Sequence, residues 1–175
     1  MAGELLVPNG DDSGWTSGAF GDIDEEIANV DGALMLTTVN PDVVILDLSA
    51  SAVVDADTVT EITIDLWARV VGIGGKDDIV VDLLIGGVAQ GAGVTHTSVG
   101  GTLGLLSATL TEWDVDRSAS DMAGMQVQLS SVQRGKGEDA TYEVDAVDVN
   151  VTYTLGSSGI AVPLAFDHLS MGHHS

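Results

Sequence analysis

The stretch TYEVDAVDVNVTYTL, residues 141–155, decides how the rest of the chain is read. Tyr142, Val144 and Ala146 share one parity, whereas Val147, Val149, Val151, Tyr153 and Leu155 share the other. Side chains alternate between faces along an extended strand, so each set marks one apolar face. Inside an uninterrupted strand, such a switch of parity needs one extra residue, as in a β-bulge. Two shorter strands with a kink at Asp145–Asp148 would leave the same trace. Either reading puts the segment in a sheet.

The same period of two runs through the chain. Ile62, Ile64, Leu66, Ala68 and Val70 fall on one face of a run over 59–71, with Glu61, Thr63, Asp65, Trp67 and Arg69 on the other. Ile79, Val81, Leu83 and Ile85 face inward around an outward Asp82, and Met125, Val127 and Leu129 alternate with Gln126 and Gln128. Further strands are expected at 33–39, 43–48 and 103–111. Glycine-rich punctuation separates these runs, as at Ile85-Gly-Gly87, Gly91-Ala-Gly93 and Gly100-Gly101. No stretch carries a helical stripe, and 118–124 has room for one helical turn. Seven or eight strands joined by turns predict an all-β chain, a single antiparallel β-sandwich of jelly-roll-like build.

Composition bounds what such a sandwich does. The chain of 175 residues suffices for one domain with a real core. Twenty-seven acidic residues face five basic ones, a formal net charge of -22. Phosphate backbones and anionic membrane surfaces would be repelled, so neither nucleic acid nor membrane is an expected partner. A hydrophobic content of 45% argues for folding over disorder despite the charge. Two lysines and abundant Asp, Ala, Val and Thr resemble the make-up of haloarchaeal proteins; a mesophilic protein kept soluble by its acidity is the alternative. There is no cysteine, and therefore no disulfide or thiol chemistry. Residues 1–8 lack a basic, then long apolar, leader pattern, so no secretory signal is expected.

The domain reading is an N-terminal arm over 1–8, a sandwich over 9–155 and a C-terminal tail over 156–175. Gly156-Ser-Ser-Gly159 reads as a hinge before the apolar Ile160-Ala-Val-Pro-Leu-Ala-Phe166. Such a tail either folds back on its own sandwich or docks on a neighbouring subunit. Leu5, Leu6, Val7, Ile160, Val162, Leu164 and Phe166 are the candidate partner-binding residues.

No catalytic constellation stands out. Asp114, Asp116, Ser118 and Asp121 place oxygen donors at alternate positions, as a calcium loop does. Ala119 and Met125 stand where a helical EF-hand needs Gly and Glu, which excludes that motif. A looser Ca²⁺ site and a plain turn both remain open. Asp22, Asp24, Glu25 and Glu26 offer hard ligands for Ca²⁺ or Mg²⁺, but neighbouring residues of an extended segment point to opposite faces, which favours solvated surface. Trp15, Phe20 and Ile23 are expected to anchor this stretch to the sandwich. His96 stands alone in a Thr-rich loop, and no Gly-x-Ser-x-Gly elbow or dinucleotide fingerprint exists. The chain is not expected to be an enzyme or to need a cofactor.

Several features, taken in order, carry a resemblance. Pro8-Asn-Gly-Asp and Gly14-Trp15-Thr16 precede Phe20 and Ile23-Asp24-Glu25; Ile62-Thr-Ile-Asp-Leu-Trp-Ala-Arg69 and Val81-Asp-Leu-Leu-Ile-Gly-Gly87 follow. Leu110-Thr-Glu-Trp113, Met122-Ala-Gly-Met-Gln-Val-Gln-Leu129 and Val147-Asp-Val-Asn-Val-Thr-Tyr153 complete the set. Over about residues 5–155 this order resembles the β-sandwich modules of virion proteins of tailed viruses. The resemblance implies a structural protein without catalytic residues, made in the host cytoplasm and carried on the virion. The type it suggests is a capsid decoration (cement) protein on the outside of the head. Its partners would be the major capsid protein and other copies of itself, as a homo-oligomer of trimer type. With the acidic composition, it points to a virus of a salt-loving archaeon. The alternative it leaves is a receptor- or glycan-binding module of a tail fibre or turret, with its ligand near Trp15 or Trp113.

Overall fold

The computed structural model describes residues 1–55, 57–72, 77–110, 119–134 and 140–156. In chain order the strands are β1 (Ala2–Leu6), β2 (Pro8–Ser13), β3 (Met35–Thr37), β4 (Asp42–Leu48) and β5 (Thr58–Val71). They continue with β6 (Asp78–Ile85), β7 (Val88–Ala89), β8 (Val94–His96), β9 (Gly104–Leu110), β10 (Met125–Val132) and β11 (Thr141–Thr154). One helical turn, α1 (Ala119–Ala123), precedes β10. All pairings are antiparallel. A five-stranded sheet runs β1-β11-β5-β9, with β3 also on β11. A six-stranded sheet runs β2-β4-β10-β6-β7, with β8 also on β6. The expected all-β, two-sheet architecture is the one observed.

Alternation explains the core. Ile62, Ile64, Leu66 and Ala68 of β5 are buried, as are Val147, Val149 and Val151 of β11. From the other sheet come Val44 and Leu46, Ile79, Val81 and Leu83, and Met125, Val127 and Leu129, joined to them in one apolar cluster. Each large side chain so buried stabilises the fold by about 1.5–3 kcal/mol before entropy is counted. At Ile85-Gly86-Gly87-Val88 the chain reverses through two positive-φ glycines (56° and 76°), the backbone that a two-residue hairpin requires.

The parity switch is a bulge. β11 is one continuous strand, and its register on β5 shifts between Val144 and Ala146, leaving Asp145 as the extra residue. Tyr142 and Val144 before it, and Val147, Val149, Val151 and Tyr153 after it, join the core, whereas Ala146, grouped with Tyr142 and Val144 by parity, pairs with Trp67 on the outward side. A second shift lies at Thr152/Tyr153, where Thr60 of β5 is the unpaired residue and its hydroxyl donates to the Thr152 carbonyl at 3.1 Å.

The N-terminal segment is built into the sandwich. Residues 1–8, read as an arm, supply β1 and the start of β2, because Ala2–Leu6 can pair with the far half of β11. Leu6 is 2% exposed in the core, which removes it from any partner surface, while Leu5 keeps 36% exposure and Val7 is half-buried. Of the tail, only Gly156 lies among the described residues; its N–H donates to Asp57 Oδ1 at 2.9 Å. Ile160, Val162, Leu164 and Phe166 lie outside them.

Candidate functional site

The bulge at Asp145 organises the outer side of the five-stranded sheet. Residues 19–34 cross β11 there, pinned by their backbone. Both carboxylate oxygens of Asp148 accept from the Ile27 N–H at 3.2 Å, and Asp145 Oδ1 accepts from the Gly32 N–H at 3.2 Å. Gly18 makes the crossing possible. Its φ is +90°, and a Cβ there would come within 2.7 Å of the Leu34 carbonyl oxygen and the Met35 Cα. Beyond it, Ser17 and Leu36 exchange two backbone hydrogen bonds.

This crossing brings together Glu25, Asp31 and Asp145, one carboxylate oxygen of each lying within 4.8 Å of the others. Asp145 is 2% exposed. The Asp31 N–H donates to Glu25 Oε1 at 3.4 Å, and Asp31 Oδ1 accepts from the Ala33 N–H at 2.7 Å. Burial raises the Glu25 pKa above its ordinary value; nearby N–H groups oppose this, and the charges of Asp31 and Asp145 add to it. Burial also raises Asp145, with Gly32 N–H and Arg69 opposing and Asp31 reinforcing. Three like charges at this spacing are relieved by a proton or by a hard cation. The donor set, all carboxylate, suits Ca²⁺ or Mg²⁺.

From β11 to β9 the outward side of the five-stranded sheet has an order that follows from the register. One row reads Ala146–Trp67–Leu105, the next Asp148–Asp65–Ser107, and the next Leu5–Asn150–Thr63–Thr109. Trp67 is half-buried and Leu105 is 56% exposed. Asp65 accepts from the Ser107 hydroxyl and, at 3.1 Å, from Asn150 Nδ2, while the Thr63 and Thr109 hydroxyls meet at 3.3 Å. Above the tryptophan row, Arg69 pairs with Glu143 across the strands. An indole therefore sits beside rows of hydroxyl, amide and carboxylate groups.

The residues singled out by sequence fall in several places. Of the calcium-loop candidates, Asp114, Asp116 and Ser118 lie outside the described residues, and Asp121 sits in the first turn of α1. Of the acidic stretch, Asp22 caps the Ala19 N–H at 2.8 Å, Asp24 is exposed, and Glu25 joins the carboxylate trio. The anchor reading holds: Trp15 and Ile23 are buried and Phe20 packs on the core. Trp15, at 5% exposure, is thereby removed as a ligand platform, and Trp113 lies outside the described residues. His96 is in the short edge strand β8, and burial lowers its pKa. Sequence reading missed Asp31 and Asp145 as neighbours of Glu25; the available signal was an aspartate standing at the parity switch.

No family model and no curated protein matches the chain. Among solved structures it is similar to the CBM36-1 domain of a multidomain xylanase from the hindgut metagenome of Trinervitermes trinervoides. The likeness has 16% identity and a TM-score of 0.38, over 86% of this chain and 97% of that one. No site or ligand carries across at that similarity.

Proposed function

We propose that the chain is a non-catalytic binding module that takes a glycan on the outer face of its five-stranded sheet. Trp67 carries this reading. It stands on the outward parity of a central strand, beside an exposed Leu105 and next to the hydroxyl, amide and carboxylate rows of Asp65, Ser107, Asn150, Thr63 and Thr109. A pyranose ring has the matching character: an apolar C–H face for the indole and a rim of hydroxyls for the polar rows. The carboxylates in the next row, Asp65 and Asp148, are held by Ser107, Asn150 and the Ile27 N–H, which suits binding over cleavage. A place on a virion appendage such as a tail fibre or turret rests on the sequence resemblance. The capsid-decoration reading rests on that resemblance together with a tail that lies outside the described residues.

A glycan array followed by calorimetric titration of the hits tests the proposal. Binding is expected, with Trp67→Ala weakening it roughly tenfold, the scale of one lost aromatic stacking contact, at an unchanged fold. An array without hits, or a Trp67→Ala variant that binds as before, overturns it.

A further inference from the structure

We propose that the free edge of β9 is a homotypic docking edge, on which a second copy of this chain pairs antiparallel about a twofold axis near Ser107. Among the described residues β9 pairs with β5 alone, which leaves the N–H and C=O groups of its other side without a partner strand among those residues. The remaining sheet edges are guarded. β1 carries Glu4, β2 opens on Pro8, contains two aspartates and shifts register twice, and β7 and β8 have two and three residues. β3 is equally short and is bridged on its other side by Ser17.

β9 has none of these defences. Its sequence, GLLSATL, holds no charge and no proline, and its register on β5 runs unbroken from Gly104 to Leu110. In a chain of net charge -22, two copies repel over most of their surfaces. An uncharged edge of seven residues is where approach costs least. The carboxylate nearest to it by register, Asp65, stands one strand back, held by Ser107 and Asn150. A twofold axis at Ser107 sets Leu105 of each copy opposite Thr109 of the other, and Leu106 opposite Ala108. Leu106 and Ala108 then form an apolar pair, Ser107 meets its own copy, Leu105 lies against the methyl-bearing Thr109 with no charge between them, and the two five-stranded sheets become continuous.

Sedimentation equilibrium on the full chain, at low and at molar NaCl, with backbone amide exchange across 104–110, tests this. The expected species is twice the 17.9 kDa monomer mass, associating more tightly as salt screens the repulsion. Its β9 amides that point away from β5 are expected to exchange slowly. Leu105→Glu and Thr109→Glu place a like charge on the edge and are expected to weaken association roughly tenfold or more, with an unfolding midpoint that matches the parent at dilutions where the parent is monomeric. Two glutamate variants are used so that one that fails to fold leaves the other to read. A chain that stays monomeric at every salt concentration overturns the proposal. So does a dimer whose β9 amides exchange freely, or a folded glutamate variant that associates like the parent. Slow β9 exchange in a monomer overturns it too, because the edge is then covered within one chain. The readout is mass and exchange, so it stands or falls separately from glycan binding.

Discussion

Gly18 shows how one residue places a site that contains none of its own atoms. Its left-handed backbone and its contact with the 34–35 backbone leave no room for a methyl group. Gly18→Ala is expected to destabilise by about 1–3 kcal/mol and to displace the segment carrying Glu25 and Asp31. Gly21, three residues on, meets nothing within 4 Å where a Cβ would sit. Gly21→Ala should change stability by no more than about 0.5 kcal/mol, and thermal unfolding of the two variants checks the contrast. The carboxylates themselves predict a pH dependence. Burial raises Glu25, Asp145 and Asp148 above their ordinary values. A raised folded-state pKa contributes stability that is complete below the unfolded value and is lost as pH rises through the folded one. The unfolding midpoint is therefore expected to rise as pH falls from about 7 toward about 5. Asp145→Asn, which keeps an acceptor for the Gly32 N–H, should flatten that slope; an unaltered slope would show that these groups do not set it.

At the scale of the element, β11 is where sequence and structure agree most closely. The parity switch in residues 141–155 allows either an extra residue or a kink between two strands, and the ladder, continuous but for Asp145, decides for the extra residue. Because Val144 pairs with Ala68 and Ala146 with the adjacent Trp67, removal of Asp145 would close the ladder without turning any side chain to the other face. Deletion of Asp145 is thus expected to leave a cooperatively folded sandwich, lacking only the carboxylate and its contact with residues 19–34. Deletion of Asp148 would close the same ladder only by turning Val147 outward and Ala146 into the core, and should therefore lower the melting midpoint below that of the Asp145 deletion. Circular dichroism melts of the two deletions distinguish these outcomes. The short strands were less legible. β1 reads as a five-residue polar-apolar mixture, and its pairing with β11 depends on a partner about 145 residues away. Three residues with no apolar period give no strand signal around His96, yet β8 pairs with β6 there.

For the whole molecule, charge is the dominant variable. With 27 acidic and five basic residues, self-repulsion opposes the compact state, and screening relieves it. The unfolding midpoint is expected to rise steadily from low to molar NaCl; a flat dependence would mean that the pairings of Arg69 with Glu143 and of Arg134 with Asp78 already offset the repulsion. The sequence alone determined the class of fold, the apolar faces of β5, β6 and β10, the parity switch in 141–155 and the anchoring of Trp15 and Ile23, since these are written in residue order; that the switch is a bulge and not a kink was decided by the ladder. Only the tertiary structure decided that residues 1–8 close the two sheets instead of extending from them. It alone set Asp145 beside Glu25 and Asp31, put Trp67 half-buried in a row with Leu105, and gave β9 a partner strand on one side only among the described residues. Those results depend on which strands become neighbours across long spans of chain, and alternation along a single strand carries no record of its partner.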